Sequence, residues 1–196
     1  THKSVPMLLS AASAADHDRL YDEKSIITAF REAGFHTTFV SNQLPNHSYI
    51  DFFGSEADDC IFIREDETEA KEGSEDVVAA TSDEQLLHYV KRILDKKRTK
   101  ELIVLHTYGS HFNYRDRYPQ SEARFLPDTP TEAKAKNRPS LINAYDNTIL
   151  QTDRLLASII GMLRDRGCAA AMIYTSDHGE NIFDDQRQRF LHASPV

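Results

Sequence analysis

Apolar residues recur along this chain at two different periods, and the switching between them predicts its elements. The apolar stretch from Ser4 to Ala15 predicts a short helix, with Pro6 tolerated in its first turn. A second helix is expected over Ser25 to Ala33, carrying Ile26, Ile27 and Phe30 and stopped by Gly34. The strand-like run Phe35 to Val40 follows and ends at Ser41-Asn42-Gln43, and Asp59 to Arg64 reads as another short strand. Ser82 with Gln85 forms a capping-box pattern that opens a helix to about Lys96, its stripe being Leu86, Leu87, Val90, Ile93 and Leu94. Leu102 to Leu105 reads as a buried strand running into His106-Thr107-Tyr108-Gly109-Ser110-His111.

A polar connection with Pro119, Pro127, Pro130 and Pro139 precedes the longest predicted helix, Ser140 to Arg166. Its expected inward stripe is Ile142, Tyr145, Ile149, Thr152, Leu156, Ile159 and Leu163, and Gly167 ends it. The continuously apolar run Ala169 to Ile173 then predicts a strand covered on both faces, ending in Tyr174-Thr175-Ser176-Asp177-His178-Gly179-Glu180. Strands and helices in alternation, joined by short links, predict an α/β fold with a mostly parallel sheet, right-handed crossovers and helices on both faces.

At 196 residues the chain is long enough for one substantial core. Its formal charge of −8 argues against nucleic acid as a partner and against charge-driven docking on an anionic membrane. Much of that charge lies in the blocks Glu65 to Glu69 and Glu72 to Asp76, expected to be a solvated excursion. Cys60 and Cys168 lack metal-type spacing and are expected to be small buried thiols. No apolar run approaches a membrane span and no signal peptide is present. The chain opens at Thr1 rather than Met and stops at Val196, just after His192, the pattern expected of a piece of a longer protein.

Polar groups at element ends carry the candidate chemistry. Asp177 and His178, emitted together from a strand end, can grip one metal ion, because carboxylate oxygen and imidazole nitrogen are both good zinc ligands. Thr1 before the first helix, Asn42-Gln43 after a strand, His111 and His192 are the other groups one sheet edge could gather. A hydroxyl at a helix start lies where backbone N–H groups favour phosphate, and a metal touching it would lower its pKa. His106, His36 and His88 are expected to be structural, Glu180 to support the Asp-His pair, and Asp146 and Asn147 to bond a neighbouring loop.

Thr1-x-x-Ser4-Val5-Pro6-Met7, Leu105 to His111 with Arg117-Tyr118-Pro119, Asn143-Ala144-Tyr145-Asp146-Asn147-Thr148 and Ser176 to Glu180 occur in that order. Together they resemble the phosphoethanolamine transferases of Gram-negative envelopes, in the sulfatase branch of the alkaline phosphatase superfamily. The resemblance covers most of the chain and is weakest over residues 46 to 80. It implies a sulfatase-like three-layer α/β domain lacking an upstream membrane domain, a first strand and C-terminal strands. It further implies that Thr1 is the nucleophile and a metal-touching group, that Asp177 and His178 bind Zn2+, and that Asn42 contacts the donor. His111 and His192 would bind donor phosphate, assist the leaving group or hold a second zinc.

The implied reaction takes phosphoethanolamine from phosphatidylethanolamine onto Thr1 and passes it to lipopolysaccharide core or lipid A. The setting implied is the bacterial inner membrane, with the catalytic domain in the periplasm. Met7, where lipid A-directed members carry cysteine, and the presence of only two cysteines lean toward the core-oligosaccharide subgroup. A phosphoglycerol transferase using Mn2+ and a catalytically silent lipid- or glycan-binding relative stay open as alternatives. A sulfatase proper is disfavoured, because no Cys/Ser-x-Pro-x-Arg setting surrounds Thr1.

Overall fold

The computed structural model of the chain describes residues 4–13, 15–45, 49–63, 82–184 and 189–191. Thr1, His192 and the acidic blocks of 65–76 lie outside the described residues. The chain divides into two units, Thr1–Glu67 with Gln85–Thr107 and Ile173–His178, and Thr68–Glu84 with Tyr108–Met172 and Gly179–Val196.

The first unit is built on a parallel sheet of β1 (His36–Ser41), β2 (Asp59–Phe62) and β3 (Glu101–His106), in the order β2-β1-β3. β1 is central, with Phe39 opposite Val104 and Cys60, and Val40 opposite Leu105 and Ile61. Because side chains alternate along a strand, this register sorts the apolar residues onto two faces. Phe39, Phe62, Leu102 and Val104 pack with Val5, Ile27, Ile50 and Ala57. These last four come from α1 (Ser4–Leu9), α2 (Ile26–Glu32), α3 (Tyr49–Gly54) and the turn after it. Val40, Ile61, Ile103 and Leu105 pack with Leu86, Tyr89 and Ile93 of α4 (Gln85–Asp95). The sheet is therefore sandwiched by helices, as the alternation of periods predicts.

Local signals explain most boundaries. The Ser25 hydroxyl accepts from the Ile27 and Thr28 N–H groups and starts α2. Gly34, at φ +80°, takes the left-handed turn that leads into β1. Three expectations are corrected here. α1 stops at Leu9, well short of Ala15. The Ser82 hydroxyl accepts from the Glu84 N–H while the helix begins only at Gln85, so the capping box does not form. Cys60 and Cys168 are both exposed rather than buried.

The second unit centres on α5 (Arg138–Arg166), with Pro139 in its first turn and Gly167 at φ +67° closing it. Its buried face is Leu141, Ala144, Asn147, Thr148, Leu155 and Ile159, and Ile149 is exposed. The expected stripe is thus displaced by about one position. The true face contains small and polar residues that an apolar pattern overlooks. Asn147 is buried because its Oδ1 accepts from the Arg124 and Phe125 N–H groups and its Nδ2 donates to the Phe125 carbonyl and the Tyr118 hydroxyl. The loop bonding expected of Asn147 is what the structure has. Tyr114, Leu141, Ala144 and Ile182 form the core of this unit, Ile182 lying in the short antiparallel pair β4 (Asn181–Ile182) and β5 (Phe190–Leu191).

The largest departure is the run Ala169 to Ile173. It forms no strand, is exposed throughout, and leaves Ile173 at 91% exposure. A two-sided apolar strand is held by its neighbours in the ladder, and no described residue pairs with this one. β3 likewise is only half-buried along its length, since among the described residues β1 is its one neighbour in the sheet.

Candidate active site

β1 and β3 end together, with Ser41 opposite His106. The residues just beyond are tied tightly to this sheet edge. The Asn42 N–H donates to the His106 carbonyl at 2.9 Å. The Gln43 side-chain amide donates to the Thr107 carbonyl at 3.1 Å, and its backbone N–H to the Ser41 hydroxyl at 3.1 Å. The same hydroxyl pairs with Nδ1 of His106 at 3.0 Å. Asn42 itself is fully buried at the strand end. The His106 ring stacks on Phe39, and burial pushes its pKa down to about 4 against the opposing pull of the Asp177 and Asp51 carboxylates. A neutral imidazole therefore sits at the edge where open α/β sheets carry their ligands.

Asp177 and His178 belong to the same unit and are both half-buried. Nε2 of His178 lies 3.5 Å from Oδ2 of Asp177. That oxygen also accepts a hydrogen bond from the hydroxyl of Ser4, the first residue of α1, at 2.8 Å. Two ligands held 2.0–2.1 Å from a tetrahedral zinc lie about 3.3 Å apart, so the observed separation fits a shared ion. No cluster of three or more His, Cys, Asp or Glu side chains that could hold a metal occurs among the described residues. A complete shell would take further donors, and Thr1, three positions before Ser4 in the sequence, is the one the motifs implicate.

His111 belongs to the second unit and is exposed. Its Nδ1 lies 2.6 Å from the Phe112 carbonyl, its backbone N–H donates to the Tyr108 carbonyl, and its ring meets Tyr108 edge-on. Glu180 accepts a hydrogen bond from the hydroxyl of Tyr114 at 2.8 Å, and Tyr114 is fully buried with its pKa driven up, first by burial and then by this carboxylate. Of the six residues singled out from the sequence, Asp177 and His178 are brought together and Asn42 ends a strand of the same unit. Thr1 and His192 lie outside the described residues. The contribution of Ser4 was missed, although it is a fixed letter of the Thr1-x-x-Ser4 motif; its spacing does not reveal its partner, which is 173 residues away.

Residues 1–195 match the sulfatase family profile. The chain is 40% identical over 96 residues to the Kdo(2)-lipid A phosphoethanolamine 7''-transferase of Escherichia coli strain K12, covering 49% of this chain and 16% of that protein. It is 32% identical over 197 residues to the putative transferase YhbX of the same strain, covering 98% of this chain and 31% of that protein. Among solved structures, the C-terminal periplasmic domain of EcEptC from Escherichia coli, in complex with Zn, superposes with a TM-score of 0.79 at 22% identity, over 97% of this chain and 51% of that one. That likeness fixes the fold as alkaline-phosphatase/sulfatase-like. The chain spans less than a third of the length of these two curated relatives. With its profile match running nearly end to end, the chain belongs to the sulfatase family.

Proposed function

We propose that the parent protein is a zinc-dependent phosphoethanolamine transferase of the bacterial inner membrane, working on its periplasmic side. The observation that carries this reading is the Asp177–His178 pair, its two donor atoms 3.5 Å apart and its carboxylate fastened to Ser4 in the Thr1-x-x-Ser4 segment. It is supported by the similarity to a transferase named for moving phosphoethanolamine onto Kdo(2)-lipid A, and by a fold shared with a domain solved with Zn.

In this reading Asp177, His178 and Thr1 hold the zinc, which when bound would lower the pKa of the Thr1 hydroxyl and neutralise phosphoryl charge. The Thr1 hydroxyl gives up its proton to solvent, and its oxygen attacks the phosphorus of phosphatidylethanolamine. The bond from phosphorus to the diacylglycerol oxygen breaks, and that oxygen takes a proton from His111 or His192. Phosphoethanolamine is then carried on Thr1 until an acceptor oxygen of lipid A or the lipopolysaccharide core attacks its phosphorus; the bond from phosphorus to the Thr1 oxygen breaks, and that oxygen takes up a proton to regenerate the hydroxyl. Asn42, buried just beyond β1, is the residue proposed to contact the donor.

The test is intact-mass and peptide mapping of the zinc-loaded full-length protein after incubation with phosphatidylethanolamine. A phosphoethanolamine adduct on Thr1, lost in Thr1→Ala, is expected. An adduct formed only from phosphatidylglycerol would replace the donor, and no adduct from either lipid with zinc bound would overturn the transferase reading.

A further inference from the structure

The loop that carries His111 is held from an element the reaction above does not use. Asp83 stands in the turn before α4, and its two carboxylate oxygens accept separately from the Tyr108 and Gly109 N–H groups, each at 2.7 Å. Both bonds are charge-assisted and short. Gly109, at φ +56°, supplies the left-handed turn these bonds enclose. Arg117 grips the other end of the loop. Its Nε donates to the His111 carbonyl at 3.0 Å, and its guanidinium carbon lies 3.9 Å from the centre of the Tyr108 ring. The His111 ring rests edge-on against that same Tyr108 ring at 5.7 Å. Burial weakens the Arg117 charge, while Tyr108, Asp116 and Asp83 act to retain it. Ser110, the residue before His111, accepts from the Thr148 hydroxyl at 2.6 Å.

We propose that Asp83 and Arg117 are positioning residues that fix the orientation of the His111 imidazole, one by clamping the 108–109 peptide groups and the other by holding the His111 carbonyl and the Tyr108 ring. Asp83 shapes the turn from below, and Tyr108 passes that shape to His111 because it is bonded to Asp83, stacked by Arg117 and packed against the imidazole. Removing the Asp83 charge leaves two N–H groups that had carboxylate partners facing a weaker acceptor, and the loop then samples other arrangements. The role of His111 in transfer is taken from the function proposed above, so the test separates the two.

The experiment uses the full-length protein with carbon-13-labelled histidine, comparing wild type with Asp83→Asn, Asp83→Glu and Arg117→Lys. In Asp83→Asn, amide exchange at Tyr108 and Gly109 should quicken about tenfold or more. The His111 ring resonances should move while those of His36 and His88 stay. With phosphatidylethanolamine as donor, kcat should fall with KM unchanged, and Asp83→Glu should recover part of both readouts. Unchanged exchange at the two amides, or an unmoved His111 ring, would overturn the proposal. Should Asp83→Asn fail to fold, Arg117→Lys decides, since it must shift the His111 ring resonances and an unshifted ring overturns the proposal. If the ring moves as expected but His111→Ala transfers at the wild-type rate, the positioning stands and the assigned role of His111 falls.

Discussion

Replacing Ser4 by alanine should weaken zinc binding without unfolding the domain. The Ser4 hydroxyl donates to Oδ2 of Asp177 at 2.8 Å, in a partly buried setting and to an acceptor that is charged. A hydrogen bond of that kind contributes about 1.5–3 kcal/mol, and partial exposure brings the figure here to about 1–2 kcal/mol. Loss of a group that orients a metal-ligating carboxylate typically weakens binding by about 10- to 100-fold, so the zinc dissociation constant should rise about tenfold. A carboxylate oxygen has two lone pairs, so Oδ2 can accept from Ser4 and still face an ion. Losing the donor frees the carboxylate to turn about its last torsion and separates it from His178, now 3.5 Å away. The assay is zinc titration against a competing chelator, with far-UV dichroism to confirm that the fold is retained. Ser4→Thr, which keeps the hydroxyl, should bind within a few-fold of wild type. A Ser4→Ala protein that binds zinc as tightly as wild type would refute the reasoning.

Four further outcomes follow from contacts elsewhere. His106 is held near pKa 4 in the fold against 6.5 when free, mainly by burial. The unfolded chain therefore takes up a proton that the metal-free fold refuses, and stability should fall by about 3 kcal/mol as pH drops from 6.5 to 4, then level off for this group; urea melts of wild type and His106→Gln should diverge in slope across that window only. Asp58 and Asp59, held low by the Thr37 backbone N–H and the His36 ring, lose their stabilisation only below about their free value of 3.8. Gly54→Ala would put a Cβ 2.9 Å from Cδ1 of the fully buried Phe39 ring and 3.2 Å from the Cys60 sulfur, so the urea midpoint should fall by the equivalent of about 1–3 kcal/mol; a raised midpoint would contradict the packing. Asn147→Ala leaves the Arg124 and Phe125 N–H groups without their acceptor and should cost about 2–4 kcal/mol in thermal or urea unfolding, while Asp146→Ala should cost far less.

What could be foreseen from sequence divides along physical lines. The parallel sheet and its two helical faces were visible because α2, β1, α4 and β3 each carry a clear apolar pattern, and their register then follows from which residues are apolar. The inward face of α5 was misjudged because Asn147 and Thr148 are buried through hydrogen bonds, and hydropathy does not count a satisfied polar group as a core residue. Asp177 and His178 were legible as neighbours in the chain. Their tie to Ser4 and the hold of Asp83 on the His111 loop were not, because a side chain bonded to something distant in sequence leaves no periodic trace.

The Ala169–Ile173 run shows why those unseen ties matter for the chemistry. Had it formed a ladder, the peptide bonds of the sheet would fix where Asp177 and His178 point, as they fix Ser41 and Asn42 at the end of β1. It is instead exposed and unladdered, and the segment beyond it is held by side chains. Ser4 holds the Asp177 carboxylate, the Ser176 hydroxyl donates to the His178 carbonyl at 2.5 Å, and Glu180 is held by the Tyr114 hydroxyl. Each of these is one bond of about 1–3 kcal/mol rather than part of a cooperative ladder. Ligand geometry in this chain should therefore be more sensitive to single hydroxyl deletions than to changes in the sheet core. Leu86→Ala, in the core beneath α4 and fully buried, should cost about 2–5 kcal/mol of stability yet leave zinc affinity of the folded fraction near wild type. Ser4→Ala should do the reverse. If Leu86→Ala lowers zinc affinity of the folded protein as much as Ser4→Ala does, the sheet rather than the side-chain ties sets the ligand geometry.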